Sequence, residues 1–267
     1  MKGGVILRLF SGAIVKLEIR HLEKSDYNIC QQIFENQQLI WNMPASEAMP
    51  VWKLLTIAST GGLLIGAFEK KQNVAHALLT PARDPLSNEA FLYLDMIGVL
   101  PEFRSNKLGE RMLRLAQEKA LQLGYKTIQW TFDPLESANA NLYIRKLGAH
   151  AIRFYPDYYG PVEASNNAVA TDRFWMRWQL YKQKQLRAML ERIIKPDDKI
   201  DADYYSSDRL AIEIPRDFQT LIKDDVLRAE MIRYKIRDIF WHLFQSGFII
   251  KAFVSDDNKN YYVAIKD

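Results

Sequence analysis

The stretch best equipped for chemistry is Val99-Leu100-Pro101-Glu102-Phe103-Arg104-Ser105-Asn106-Lys107-Leu108-Gly109-Glu110. An apolar run ends at Val99, Pro101 breaks it, a short polar loop follows, and a helix begins at or near Gly109. Such a loop aims successive backbone N–H groups at one spot, with the positive end of the helix dipole behind them. That is an anion site suited to a pyrophosphate. An ordinary strand-to-helix turn has the same outline, so the loop alone does not decide. Gly98 adds weight, because a glycine inside an apolar strand marks a bulge that bends the strand and leaves backbone groups unpaired. Ile97 and Val99 would then border a splay towards the next strand, Ile128 to Phe132. An extended amide-bearing ligand adds to such an edge like a strand. Pantetheine joined to a pyrophosphate has that shape.

With these residues in place, Val-x-Pro-Glu-Phe-Arg-x-x-x-Leu-Gly resembles the pyrophosphate motif of the GNAT superfamily, Arg/Gln-x-x-Gly-x-Gly/Ala after a strand. Arg104 and Gly109 match its ends, and Lys107 stands where the first glycine is usual. Ala140, Leu147 and Gly148 are similar to the following family segment. The resemblance runs over about residues 14 to 180. It implies an α/β (α+β) fold: a mixed, mostly antiparallel seven-stranded sheet flanked by four helices. It also implies acetyl-CoA or another acyl-CoA as cosubstrate, no metal, and backbone contacts from Asn106, Lys107, Leu108, Gly109 and Glu110. The segments Trp130 to Ser137, Lys146 to Ala149, Tyr158 to Gly160, Thr171 to Arg173 and Ile214 to Phe218 resemble a bacterial subgroup with a C-terminal extension. Some of its members accompany racemases of N-acylated amino acids, and N-succinylation of amino acids occurs in it.

Acyl transfer to an amine needs a neutral nitrogen, a polarised carbonyl and a proton for the leaving thiolate. Asp95 lies in the apolar run Leu92 to Ile97, a setting that raises a carboxylate pKa, and it is the base candidate. An aspartate paired with a neighbouring donor is the alternative. The family acid is a tyrosine four residues before the glycine of Leu-Gly, and that position holds Ile144. Tyr143 points about 100° away on an ideal helix. Tyr143, Tyr158 and Tyr159 remain acid or packing candidates. Asp133 and Glu136 flank the turn where an acceptor would sit, with Glu136 equally suited to a helix dipole. Arg173 opens the last strand of the family sheet. Its fork suits an acceptor carboxylate, or an ion pair with Asp172 or Asp157.

These groups need elements to hold them. Ile14 to Arg20 alternates as a strand, Ser25-Asp26 starts a helix, and a second helix spans about Glu47 to Ala58. Leu63 to Glu69 and Val74 to Leu79 form a hairpin, and Leu92 to Val99 is the next strand. Met112, Leu113, Ala116, Ala120 and Leu123 hold helical spacing before Gly124. Strands follow at Ile128 to Phe132, Ala151 to Phe154 and Phe174 to Leu180, with a helix from Ser137 to Leu147. Leu186 to Ile193 suggests a helix. Beyond the polar segment Pro196 to Asp208 lie a strand (Leu210 to Ile214), a long helix capped by Asp224, and strands at Phe248 to Val254 and Tyr261 to Ile265. Arg228, Arg233, Lys235 and Arg237 on that helix read as a solvated face. Strand, two helices and hairpin recur in residues 14 to 80 and 210 to 265, a hint of internal duplication.

The expected domains are 1–180 (catalytic), 181–208 (helix and linker) and 209–267 (a smaller α/β extension). With 267 residues, 48% hydrophobic and 25% charged, the chain has an ordinary globular composition. Its net charge of +4 comes without a Lys/Arg block, which points away from nucleic acid. The single Cys30 forms no intrachain disulfide and fits a reducing cytoplasm. Arg8 interrupts the apolar N-terminal run, no cleavage pattern follows, and no stretch approaches the ~20 residues of a membrane span. The four histidines are too scattered to suggest a metal. The expected partner is a small-molecule amine, with a homodimer left open. A silent coenzyme A-binding module and a protein-interaction role for the C-terminal region are the rival functions.

Overall fold

The computed structural model describes residues 3–8, 12, 14–22, 26–104, 106–160, 170–181, 190, 192–198, 207–256 and 259–267. Tertiary contacts divide the chain into residues 1–129 and 130–267, and the division falls inside one strand. Most of the segment expected to be a helix and linker, 181–208, lies outside the described residues.

In the first unit β1 (Gly3–Arg8) pairs antiparallel with β2 (Ile14–His21), from Gly3 opposite Ile19 to Arg8 opposite Ile14. The apolar N-terminal run interrupted by Arg8 is thus a strand whose partner only the fold supplies. Asp26 caps α1 (Tyr27–Trp41), accepting from the Asn28 amide at 2.8 Å. α2 (Val51–Ser59) is shorter than its sequence pattern. Then come β3 (Leu63–Glu69), β4 (Gln72–Arg83) and β5 (Ala90–Val99), a 3-10 turn at Pro101–Phe103, α3 (Leu108–Gln122) and β6 (Thr127–Phe132). The strand order is β1-β2-β3-β4-β5-β6. The pairings are antiparallel except for β5 with β6.

Leu22, Cys30, Ile33, Leu54, Ile57, Leu64, Phe68 and Leu78 form a core from α1, α2 and the sheet. Burial pushes the Cys30 thiol up to about 11, so it stays protonated and packs as a small apolar side chain. Asn73, fully buried, donates to the carbonyls of Ala67 and Ala75, and its own carbonyl receives Asn36 of α1 at 2.8 Å. This ties the β3–β4 hairpin to the helix without an orphaned amide.

The second unit starts at Trp130 within β6. It continues with α4 (Ser137–Ala140), which widens into a π-helical turn over Asn141–Lys146, then β7 (His150–Tyr155) and β8 (Arg173–Gln179). Ile193–Ile194, placed at the end of a helix by the sequence pattern, is the short strand β9. β10 (Arg209–Ile214), α5 (Phe218–Asp224), α6 (Val226–Gln245), β11 (Phe248–Ser255) and β12 (Asn260–Lys266) complete it. The order from β6 is β6-β8-β7-β11-β12-β10-β9. Asp225, one residue past the expected cap, receives the Arg228 amide; Asp224 ends α5. Phe174 is the centre of the core, with Phe132, Phe154, Phe240 and Tyr262 ring centroids within 6.0 Å.

The suggested duplication is not a structural one. In the first unit β2 pairs with the first strand of its hairpin, β3; in the second, β10 pairs with the second strand, β12. The same element string is connected differently.

Candidate functional site

In the first unit β5 is bulged, three residues before the glycine that prompted the expectation. Leu78 faces Met96 and Leu79 faces Leu94, so Asp95 is the extra residue. Gly98 serves another purpose. A Cβ there would lie 2.8 Å from Ile40 Cδ1 and 3.0 Å from Trp41 Cη2, so its lack of a side chain lets the end of α1 lie against the strand. β5 pairs with β6 through Leu92–Ile128 and Tyr93–Gln129, and no later pair joins them among the described residues of this unit. Ile97 and Val99 therefore lie on the stretch that has left its parallel neighbour.

The loop after that stretch is braced from within. Arg104 Nε donates to the Val99 carbonyl and Nη2 to the Ile40 carbonyl, both at 3.2 Å. The guanidinium thus joins the strand end to α1. Asn106 closes the turn by donating to the Phe103 and Arg104 carbonyls at 3.3 and 3.1 Å. Lys107 is the N-cap residue of α3, with φ 58° and ψ 21°, and it gives no side-chain cap. That left-handed conformation explains why a glycine is usual at this place in the motif. With an ammonium in place of a capping oxygen, the first-turn amides of Leu108 and Gly109 have no side-chain acceptor from the cap residue. Amides, dipole and the Lys107 charge together suit an anion, and the adjoining splay suits an amide chain. An acyl-CoA fits on both counts. When bound, its thioester would supply the acyl group, and these residues would hold and orient it.

Asp95 accepts from Thr80 Oγ1 through Oδ2 at 2.5 Å. The residue is exposed on one side and crowded by protein on the other. Partial burial raises its carboxyl above the usual range, opposed by the Thr80 hydrogen bond and by Lys53. A bulged, hydrogen-bonded carboxylate with a raised pKa is equipped to accept a proton.

The remaining candidates belong to the second unit. Tyr143 is buried edge-on against Trp130 and Phe132, at 5.0 and 5.4 Å between centroids, and burial pushes its phenol up. It lies in the π-helical turn, so the 100° step of an ideal helix does not describe its direction. Tyr158 is 41% exposed, its phenol raised by partial burial and by Tyr159 and Tyr155. The Tyr159 hydroxyl is 2.9 Å from Thr131 Oγ1. Burial raises Glu136, against the hydrogen bond from Gln219 Nε2 at 2.5 Å.

Asp133 is held in a way sequence reasoning missed. Arg233 of α6, only 4% exposed in its side chain, forks onto both carboxylate oxygens at 2.7 Å. Arg237, one turn on, pairs with buried Asp172 at 2.6 Å. The solvated-face expectation fails for these two because the buried face of α6 runs through Ala229, Arg233, Ile236, Phe240 and Leu243. Leu227 and Met231 of the same helix are 75% and 51% exposed. The signal was phase: Arg233 lies four residues after one buried position and three before the next. Arg173 is 3.7 Å from Asp133 Oδ2, donates through Nη1 to the Asp172 carbonyl at 2.8 Å, and lies over the Tyr159 ring.

Among the described residues no three His, Cys, Asp or Glu gather as metal ligands, and no helix is long and apolar enough to cross a membrane. Residues 18–149 match the family model described as the Acetyltransferase (GNAT) family. A GNAT-family protein from Desulfovibrio desulfuricans is similar in fold, with a TM-score of 0.50 at 16% identity, covering 62% of this chain and 99% of its own. So is yncA from Salmonella typhimurium, solved with its cofactor acetyl-CoA: TM-score 0.50, 18% identity, 65% of this chain and 99% of its own. No curated protein matches the sequence.

Proposed function

Residues 18–149 belong to the GNAT family of acyl-CoA-dependent N-acyltransferases, and from that premise we propose that the chain moves an acetyl or succinyl group from coenzyme A to the amine of an amino acid. The observation that carries the acceptor is Arg173. Its side chain is 21% exposed and only Nη1 is engaged among the described residues, so one edge of a planar guanidinium remains for a carboxylate. Asp95 takes the proton from the acceptor ammonium or its attacking nitrogen, helped by its raised pKa. Tyr143 or Tyr158, both kept protonated at neutral pH, supplies the proton to the leaving thiolate. The family also includes enzymes that act on other amines, so the carboxylate is the point to test. With acetyl-CoA and succinyl-CoA as donors, amino acids should be acylated far better than their decarboxylated amines. Arg173→Lys should raise KM for the amino acid roughly tenfold, because an ammonium cannot reproduce the fork. Equal kcat/KM for an amino acid and its amine would rule the acceptor out.

A further inference from the structure

The turn between β6 and α4, taken together with the first residue of that helix, is held at four of these five positions by the chain beyond residue 209. Arg233 forks onto Asp133, the Tyr262 hydroxyl donates to the Pro134 carbonyl at 2.6 Å, and Gln219 donates to Glu136 at 2.5 Å. Ser137 Oγ donates to the Pro215 carbonyl at 3.3 Å and receives Asn260 Nδ2 at 2.8 Å. The contacts come from α5, α6, β12 and the loop before α5, so they fix the turn from several directions. Among the described residues, Asp133 is the one of this turn in an ion pair with α6, and its carboxylate lies 3.7 Å from Arg173.

Two guanidiniums thus meet one carboxylate, and they do so unequally. Arg233 takes both oxygens at 2.7 Å, while Arg173 stands a full ångström further off. Arg233 is buried and lies over the Phe218 ring, 4.7 Å from its centroid, so it has no room to leave. Without it, the carboxylate would have Arg173 as its nearest cation and would draw it into a close fork.

We propose that Arg233 is a positioning residue for acceptor selection: by saturating Asp133 it keeps the Arg173 guanidinium available for the acceptor's carboxylate. This rests on the amino-acid reading above and adds a role for the C-terminal region. The helix supplies the charge that leaves Arg173 in excess.

The test uses the full chain with acetyl-CoA and a panel of L-amino acids, each beside its decarboxylated amine, for instance phenylalanine and phenethylamine. Arg233→Met should raise the amino-acid KM tenfold or more, leaving kcat and acetyl-CoA affinity within about twofold. Adding Asp133→Asn to Arg233→Met removes the competing carboxylate and should bring KM back to within about threefold of the parent. Asp133→Asn alone should lower KM or leave it unchanged, and it keeps the test open if Arg233→Met fails to fold. Acetyl-CoA affinity by calorimetry and far-UV circular dichroism report folding for each variant. An unchanged KM in folded Arg233→Met, no rescue in the double variant, or a raised KM in Asp133→Asn would overturn the inference. A parent that does not distinguish amino acid from amine overturns the acceptor reading first, and the role of Arg233 falls with it.

Discussion

His76 offers a sharp test of how the first unit is built. It is fully buried on β4, and neither ring nitrogen has a hydrogen-bond partner among the described residues. Its cross-strand neighbours are Gly66 and Gly98, and Trp41 packs edge-on at 5.9 Å. Burial alone lowers its pKa from 6.5 to about 4, with no charged neighbour contributing. The folded protein therefore resists a proton that the unfolded chain accepts as pH falls below 6.5. Stability is unaffected by this group above pH 6.5 and is lost progressively down to about pH 4, by about 1.4 kcal/mol per pH unit and about 3 kcal/mol in all. His76→Met removes the titration and leaves no partner unsatisfied, so at pH 7.5 the variant should be as stable as the parent or more so. Urea denaturation of both proteins at steps from pH 7.5 to 4 measures the difference. Carboxylates shared by the two proteins cancel, so the gap should widen in the variant's favour only below 6.5. Parallel stability curves over that range would refute the argument.

Four further outcomes follow from the same geometry. Asp95→Asn should cut turnover about 10²-fold at neutral pH with acetyl-CoA affinity intact, and the deficit should shrink at high pH, where free amine is abundant; pH–rate profiles of both enzymes decide it. Gly109→Val should weaken acetyl-CoA binding at least tenfold in calorimetry by blocking close approach to the first turn of α3. Lys107→Gly should cost only a few-fold in affinity and raise stability by up to about 1 kcal/mol, since it relieves a left-handed non-glycine residue. Gly98→Val should destabilise the fold by about 1–3 kcal/mol in thermal denaturation, because its side chain meets Ile40 and Trp41.

Local pattern determined most of the elements. Asp26 before Tyr27, the spacing of Met112, Leu113, Ala116 and Ala120, and the alternation from Phe174 to Trp178 each specify a helix or strand through short-range sterics and burial. The outline of the segment from Pro101 to Gly109 was legible for the same reason: a strand end, a turn and a helix start follow one another in order. What the sequence did not hold was any fact about partners distant in the chain. β1 becomes a strand because β2 lies beside it, and the bulge falls at Asp95 because β4 sets the pairing, while Gly98 answers to α1. Arg233 looked like one more charge on a surface helix. Its burial depends on the phase of α6 against a sheet, and its role on a carboxylate exactly one hundred residues earlier. Periodicity is a property of a segment, but charge balance at a site belongs to whichever residues the fold brings together, and only tertiary structure decides that.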